Sequence, residues 1–373
     1  MEKVWDCAHD FERDSTIRAR APPAWAGFVK AAMLEERDLE LVNGLQIAPR
    51  ASWADAARIL GSTPATLAAR WERLREAGIV WTTAHPGGRM RGLLLSFVEL
   101  DCMPGSKPDV LRALCRDPRA VTIEESARGR DLLMTVMTPD LAALTRFVLD
   151  DLGRMPGVER QRTYFAKKMH FQGNAWRLGA LAPDRRAAFE ALALPPGDDG
   201  SPDPPQGAWP LIEGLAADGR RSAADLARIT GRNPATVRRQ LARLIASGLL
   251  SFRCELAQGL SRSPITCTYL ARVPPVEHNR TVASLRTLPE LRLCVSTTGE
   301  TNMMFTVWTA SVGDLLQLEQ RLGNHLPWLD IVDSAVILRT VKRMGWLLDA
   351  NGAATGELVV PDALRPPTAR DAG

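Results

Sequence analysis

The stretch GRNPATVRRQLARLIASGLL, residues 231–250, carries the signals of one well-defined helix. Asn233 and Pro234 are typical of a helix start, because an Asn side chain caps free backbone N–H groups and Pro lacks the N–H that has no partner there. Gly248 is typical of a helix end. Gly231, just before the start, indicates that a preceding helix ends in a tight turn, as in a helix-turn-helix.

The predicted helix has one apolar face and one cationic face. On a helical wheel the apolar side chains fall together, and these are Val237, Leu241, Leu244 and Ile245. Thr236, Arg239 and Arg243 lie opposite, with Arg238 on a flank. A cationic helix suits the major groove of DNA, because phosphates attract arginine and guanidinium groups can read guanine edges. The alternative is an ordinary arginine-rich surface helix.

A similar stretch occurs earlier in the chain. GSTPATLAARWERLREAGIV at 61–80 aligns with 231–250 at a shift of 170 residues, and DLLMTVMT at 131–138 aligns with NMMFTVWT at 302–309 at a shift of 171. Such a constant spacing indicates that whole modules are duplicated. The segment PPGDDGSPDPPQG at 195–207 separates the copies and is typical of a linker.

Each copy begins with helical patterns and continues with strands in the order βαββαβ. We therefore predict an α+β fold with two copies of a winged-type helix-turn-helix domain, each followed by a ferredoxin-like βαββαβ sensing domain. The predicted segments are an N-terminal extension (1–33), helix-turn-helix domain 1 (34–84), sensing domain 1 (90–172), a linker (173–208), helix-turn-helix domain 2 (209–256), sensing domain 2 (262–348) and a flexible tail (349–373).

Composition excludes several classes of protein. The chain has 373 residues, 45% of them hydrophobic and 24% charged, which is typical of a folded protein of about two to three domains. The absence of a long apolar run and the charged N-terminus predict no membrane span and no export, hence a cytoplasmic protein. The scattered cysteines are expected to be reduced and mostly buried, and no metal site, cofactor or catalytic residue is predicted.

The two helix-turn-helix segments differ in charge. Eight arginines face three acids between residues 209 and 254, whereas six arginines face seven acids between 34 and 81. We therefore expect the second copy to supply more of the affinity for double-stranded DNA. The candidate DNA-contacting residues are Ser52, Thr63, Thr66, Arg70 and Arg73 in the first copy, and Ser222, Arg232, Asn233, Thr236, Arg238, Arg239 and Arg243 in the second.

The segment LEERDLELVNGLQIAPRASWADAARILGSTPATLAARWERLREAGIV at 34–80, with the βαββαβ pattern after it, resembles the Lrp/AsnC (feast/famine) family of transcriptional regulators. The resemblance covers nearly all of residues 34–348. It implies a DNA-binding, nucleoid-associated regulator. Because the modules occur twice, the chain is expected to fold as a covalent pseudo-dimer with its two sheets back to back, and to associate at least into a homodimer.

The resemblance also implies a small effector, such as an amino acid or a related metabolite, near a Gly-x-x-Asp turn between the second and third strands of each sensing domain. The candidate effector-binding residues are Arg128, Gly129 and Asp131 in the first copy, and Gly299, Glu300, Thr301 and Asn302 in the second. Asn302 stands where the family has an acid, and Arg128 stands in the position of Gly299. Plain hairpin turns without a ligand are the alternative.

Two other functions share the predicted architecture. Some relatives of this architecture are enzymes that decarboxylate sirohaem. They resemble the regulators in fold but use Arg- and His-rich stretches beside the sensing domain. Here the stretch Arg253–Leu270 has no histidine and its counterpart has only His85. The histidines are therefore expected to be unpaired surface or capping residues. The remaining alternative is a sensor or assembly protein that does not bind DNA.

Overall fold

A computed structural model describes residues 34–86, 93–193, 207–363 and 365. The predicted N-terminal extension, with Cys7 and His9, lies outside the described residues. The helices of the described part are α1 (Glu36–Ile47), α2 (Trp53–Leu60), α3 (Pro64–Glu76), α4 (Lys107–Arg116), α5 (Leu141–Thr145, continued by a π-helix over Arg146–Leu152), α6 (Pro183–Glu190), α7 (Trp209–Ala217), α8 (Ala223–Thr230), α9 (Pro234–Ala246), α10 (His278–Leu285) and α11 (Val312–His325).

The strands of the described part form two sheets. They are β1 (Val80–Pro86), β2 (Leu94–Cys102), β3 (Ala120–Ser126), β4 (Leu132–Thr138), β5 (Val158–Phe171), β6 (Leu250–Leu256), β7 (Ile265–Arg272), β8 (Leu291–Thr297), β9 (Met303–Thr309), β10 (Asp330–Arg343), β11 (Trp346–Leu348) and β12 (Ala354–Leu358). Strands β1 and β6 pair with each other, and the remaining strands form the larger sheet.

We call α1–α3 with β1 the first head, and α7–α9 with β6 the second head. In both heads a serine caps the second helix. The hydroxyl of Ser52 accepts a hydrogen bond from the Asp55 N–H at 3.0 Å, and Ser222 accepts one from the Asp225 N–H at 3.1 Å. The short helix ends at a left-handed glycine in each head, with φ 65° at Gly61 and at Gly231. Strands β1 and β6 pair antiparallel, so the two heads share one small sheet.

The larger sheet contains both predicted βαββαβ modules. The first module runs β2-α4-β3-β4-α5-β5, and the second runs β7-α10-β8-β9-α11-β10. Each module buries its helices against one face of its own strands. Phe147 and Leu114 belong to the first of these cores, and Phe305 and Leu318 belong to the second. The order of elements predicted from the sequence is the order observed.

The prediction of two separate sheets packed back to back is wrong at the sheet edges. The faces away from the helices do share an apolar cluster, in which Phe97 and Leu133 meet Leu270 and Met304. The edges of the two modules, however, are hydrogen-bonded to each other. This is possible because β5 and β10 are 14 residues long and extend beyond their partner strands in their own modules. Strand β5 continues onto β8, and β10 continues onto β3. The strands therefore close into a ring in the order β10-β3-β4-β2-β5-β8-β9-β7.

The predicted linker and the predicted flexible tail are both partly structured. Within 173–208, helix α6 packs on the first head, where the fully buried ring of Phe189 lies over Gly44 of α1. Within 349–373, strand β12 pairs with β11, and the Ala354 N–H donates to the Gly78 carbonyl oxygen at 2.8 Å. The apolar side chains of Trp176, Phe189 and Leu358 explain this order, since each is buried.

Among the described cysteines, all five are free thiols and buried, as the sequence predicts for those residues. In the described part of the chain, no helix is both long and apolar enough to span a bilayer.

Candidate nucleic-acid interface and interior cavity

Helix α9 presents the two faces that the sequence predicts. Val237 and Leu244 are fully buried in the core of the second head. Arg238, Arg239 and Arg243 are exposed, and none of their side chains has an ion pair or hydrogen bond to any residue that the structure describes. The helix begins at a capped N-terminus that directs free N–H groups outward. The surface is therefore cationic, solvated and free to contact an anionic partner.

The corresponding helix of the first head, α3, has its positive charge neutralised. Arg70 contacts Asp38 at 2.5 Å and Glu35 at 3.0 Å, and Arg73 contacts the same Asp38 oxygen at 3.0 Å. Asp38 is only 2% exposed. The hydrogen bond that Arg70 donates to Asp38 raises the pKa of Arg70 above its ordinary value.

The two heads also differ at the positions that correspond to Arg238 and Arg239, because the first head has Ala68 and Ala69 there. This difference and the Arg70–Asp38 ion pair both lower the positive potential of the first head.

Several predicted DNA-contacting residues already serve the fold. Thr63 caps α3 by accepting from the Thr66 N–H at 3.1 Å, and the two hydroxyl groups lie 2.8 Å apart. Asn233 caps α9 by accepting from the Ala235 N–H at 2.9 Å. Arg232 donates to the carbonyl oxygen of Gly207 at 2.7 Å. Thr236 is half-buried. Ser52 and Ser222 are the caps described above.

The sequence count of arginines overstates the charge that the second head presents. Arg220 donates to the carbonyl oxygens of Pro49 and Ala51 at 2.7 and 2.8 Å, so it joins the heads. Arg253 turns inward toward Glu255 at 3.2 Å. The exposed, uncompensated guanidinium groups are thus concentrated on α9.

The predicted effector turns lie at the junctions between the two sensing modules. Gly129 has φ 75°, and a Cβ there would lie 3.7 Å from the carboxylate of Asp333 on β10. Gly299 has φ 109°, and a Cβ there would lie 3.2 Å from the Tyr164 ring on β5. Each turn therefore faces the last strand of the other module.

The acidic position of each turn is occupied by a side chain that binds backbone. Asp131 accepts from the Cys102 N–H at 2.8 Å, and Asn302 accepts from the Val273 N–H at 2.9 Å. Asn302 also donates to the Val273 carbonyl oxygen at 2.8 Å, a bond that an aspartate could not make. Arg128 and Glu300 are exposed, whereas Thr301 is buried.

A cavity of about 1020 Å³ lies between the heads and the sensing modules. Its described lining includes the end of α1, strands β1 and β6, the end of α9, and strands of both modules. The cationic lining residues are Lys167, Lys168, Arg177, Arg253, Arg286, Arg292 and Arg343, and Glu124 is the acidic residue among the described lining. Sequence reasoning missed this site, because its residues are far apart in the chain.

One carboxylate stands among three arginines at the cavity wall. Glu255 contacts Arg292 at 2.8 Å and Arg253 at 3.2 Å, and Arg343 lies 3.9 Å away. Burial alone would raise the pKa of Glu255, but the charges of Arg292, Arg253 and Arg343 outweigh it and hold this pKa below its ordinary value. Burial lowers the pKa of Arg292 to about 10. The Arg292 guanidinium also stacks 4.2 Å from the Trp308 ring centroid.

Two expectations for the histidines are wrong. His85 is only 2% exposed and lines the cavity, and its Nε2 has no hydrogen-bond partner in the described structure. His170 and His278 share one serine, since their Nε2 atoms lie 2.6 and 2.8 Å from the Ser296 hydroxyl. The β5–β8 pairing brings His170 to Ser296, a contact that the linear spacing could not reveal. His325 is exposed and contacts the Arg321 carbonyl oxygen at 2.8 Å, as expected for a capping residue.

Comparison with known proteins adds to this geometry. Residues 95–176 match the Lrp/AsnC ligand binding domain, and residues 212–251 match a winged helix-turn-helix DNA-binding domain. The chain is similar to the HTH-type transcriptional regulator FL11 of Pyrococcus horikoshii, with 27% identity over 139 residues, 37% of this chain and 91% of the relative. The FL11 regulator of Pyrococcus furiosus is 25% identical over 140 residues, 37% of this chain and 92% of the relative.

A solved structure shares the overall fold. The sirohaem decarboxylase NirDL covers 83% of this chain and 93% of its own, with a TM-score of 0.51 and 14% sequence identity. Separate segments of the chain thus match an Lrp/AsnC ligand binding domain and a winged helix-turn-helix DNA-binding domain, and the similar relatives are named as HTH-type transcriptional regulators.

Proposed function

We propose that the chain is a DNA-binding transcriptional regulator of the Lrp/AsnC type in which α9 of the second head makes the main contact with double-stranded DNA. One observation carries this proposal: Arg238, Arg239 and Arg243 are exposed and uncompensated on the second helix of a helix-turn-helix. Phosphates release counterions when they meet such groups, and guanidinium forks can read bases in the major groove. The first head would contact DNA weakly, because Arg70 would first have to leave the buried carboxylate of Asp38.

The proposed assembly follows from this difference in DNA contact between the two heads. The chain acts as a covalent pseudo-dimer in which one head of two is active. Two chains would have to associate to present two α9 helices to a palindromic site. We therefore propose at least a homodimer, acting as a cytoplasmic, nucleoid-associated protein. A small effector at the turns 128–131 and 299–302 remains part of the proposal, supported by their position at the junctions between modules.

Selection of bound duplexes from a random pool by the full chain tests the proposal, followed by fluorescence anisotropy on the selected duplex at several salt concentrations. The Arg239→Ala/Arg243→Ala variant should bind DNA more weakly. The slope of its log K against log salt concentration should be smaller in magnitude by about two. Failure to enrich any sequence, or equal affinity and slope in the variant, would reject α9 as the contact and favour a sensor without DNA binding.

Catalysis on a tetrapyrrole is a second candidate function. The observation that favours it is His85, a buried imidazole with an unpartnered Nε2 beside a cationic cavity in a fold shared with a sirohaem decarboxylase. Incubation of the full chain with sirohaem, followed by absorption spectroscopy and mass spectrometry, tests it. A mass loss equal to carbon dioxide that disappears in His85→Gln would support an enzyme. An unchanged spectrum and mass would reject it.

A further inference from the structure

The cavity touches the second head and both sensing modules at once. On one side its lining includes Ile245 and Gly248 at the end of α9, and Phe252 on β6. On the other side it includes His170 on β5 and Trp308 on β9. An occupant would therefore contact the end of the proposed recognition helix directly. The turns at 128–131 and 299–302 are not among its lining residues.

The cavity wall carries more buried positive charge than the protein compensates. Arg253, Arg292 and Arg343 surround the carboxylate of Glu255, and all four side chains are at most 11% exposed. Glu124 is a second carboxylate whose charge acts on Arg343 and Arg292, so three guanidinium groups face two carboxylates. The Nε of Arg253 and the Nη1 of Arg343 are buried without a hydrogen-bond partner in the described structure. Buried guanidinium groups are costly unless they are paired, so an additional anion at this wall would be stabilised by the unpartnered N–H groups.

The lining also indicates what kind of anion fits. Guanidinium groups pair best with the planar or branched oxygens of carboxylates and phosphates. Leu95, Phe97 and Trp308 add apolar and aromatic surface. A volume of about 1020 Å³ is far larger than an inorganic ion needs, since ligand pockets of about 300–1,000 Å³ hold whole organic molecules.

We propose that this cavity binds a small organic polyanion, bearing carboxylate or phosphate groups on an apolar or aromatic frame, and that its occupancy changes the affinity of α9 for DNA. The binding half stands on the cavity alone, whereas the regulatory half rests on the proposed DNA-binding function. Ligand binding and DNA affinity would be coupled by direct contact, because the ligand would contact Gly248 and Phe252, which connect α9 to the shared β1–β6 sheet.

Isothermal titration and tryptophan fluorescence on the full chain test binding, since Trp308 lies against Arg292. The probes are benzene-1,3,5-tricarboxylate for the carboxylate source, ATP for the phosphate source, and the neutral trimethyl ester of the tricarboxylate as the uncharged control. We expect at least one anionic probe to bind, and the ester not to bind. Binding of the ester as tightly as its acid, or of neither anionic probe, would overturn the proposal.

Variants locate the site. Arg343→Gln should weaken binding of the anionic probe about tenfold, as expected for loss of one charged hydrogen bond. Lys168→Gln, at an exposed lining position, should weaken binding about threefold and gives an answer even if Arg343→Gln does not fold. Arg154→Gln is the matched control, because its side chain is 81% exposed and outside the cavity. Equal weakening in all three variants would overturn the assignment.

DNA anisotropy with and without saturating probe, at constant ionic strength, tests regulation. A change in affinity that is lost in the cavity variants but kept in Arg154→Gln supports it, and an unchanged affinity overturns the regulatory half. Absence of DNA binding without any probe would reject the proposed DNA-binding function and the regulatory half with it, while the titration would still decide whether the cavity binds a polyanion.

Discussion

Arg50 and Arg220 occupy equivalent positions in the two heads, and each donates hydrogen bonds into the opposite head. Arg220 reaches the carbonyl oxygens of Pro49 and Ala51, while Arg50 reaches those of Gly219 and, at 3.1 Å, Arg221. Arg220 also lies 4.1 Å from the Trp53 ring centroid. This reciprocal contact reinforces the β1–β6 pairing and fixes how the heads are oriented.

Replacing Arg220 should destabilise the protein. Arg220→Gln removes two hydrogen bonds to buried backbone and the contact with Trp53, so we expect the free energy of unfolding to fall by about 2 kcal/mol. Urea denaturation measures the change. Arg228→Gln is the control, because Arg228 is 77% exposed and, among the described residues, its ion pair is with Asp225 on its own helix. This variant should cost less than about 0.5 kcal/mol. Equal losses in the two variants would contradict a joint between the heads.

Gly78 should be intolerant of any side chain. Its φ is 68°, and a Cβ there would lie 2.3 Å from the carbonyl oxygen of Ala354, where β12 docks on the first head. We expect Gly78→Ala to lower the free energy of unfolding by about 3 kcal/mol or more, through backbone strain and displacement of β12.

The control for Gly78 is Gly61→Ala. Gly61 has φ 65° but no atom within 4 Å of a built Cβ, so the variant should lose only about 1–2 kcal/mol from backbone strain. Thermal unfolding of both variants makes the comparison. A Gly78→Ala variant as stable as Gly61→Ala would show that β12 does not dock as described.

Buried His85 should make the protein sensitive to acid. Burial, and then the charge of Arg253, lower the pKa of His85 to about 3. As the pH falls below about 6.5, the unfolded chain takes up a proton that folded His85 does not, so the free energy of unfolding falls by about 2 kcal/mol at pH 5. His85→Gln should remove this part of the loss between pH 7 and pH 5.

Urea denaturation at pH 7 and pH 5 measures the effect of His85. His325→Gln is the control, because His325 is exposed, and this variant should keep the pH dependence of the parent protein. The same pH dependence in His85→Gln as in the parent would contradict a neutral, buried imidazole.

The sequence was sufficient for the local structure and for the order of elements. Ser52, Gly61, Ser222 and Gly231 are local signals, whose caps and turns depend on neighbours within a few residues. The apolar face of α9 follows from helical periodicity alone. These features need no knowledge of the rest of the chain.

The sequence did not predict which charges are free. Arg70 and Asp38 are 32 residues apart, and Arg292 and Glu255 are 37 apart, so their pairing depends on the tertiary fold. The ring of strands likewise depends on which strands pair with the parts of β5 and β10 that extend beyond their own modules. Counting arginines therefore predicted more positive charge for the second head but misplaced Arg220 and Arg253, and it gave no sign of the cavity.

The most direct test of the central claim compares Arg243→Ala with Arg73→Ala, since these arginines occupy equivalent positions on α9 and α3. Fluorescence anisotropy on one selected duplex, over a range of salt concentrations, gives affinity and salt slope for each. We expect Arg243→Ala to weaken binding about tenfold and to reduce the slope by about one, with Arg73→Ala within about twofold of the parent protein. Equal weakening by both variants, or greater weakening by Arg73→Ala, would contradict a single DNA-binding head.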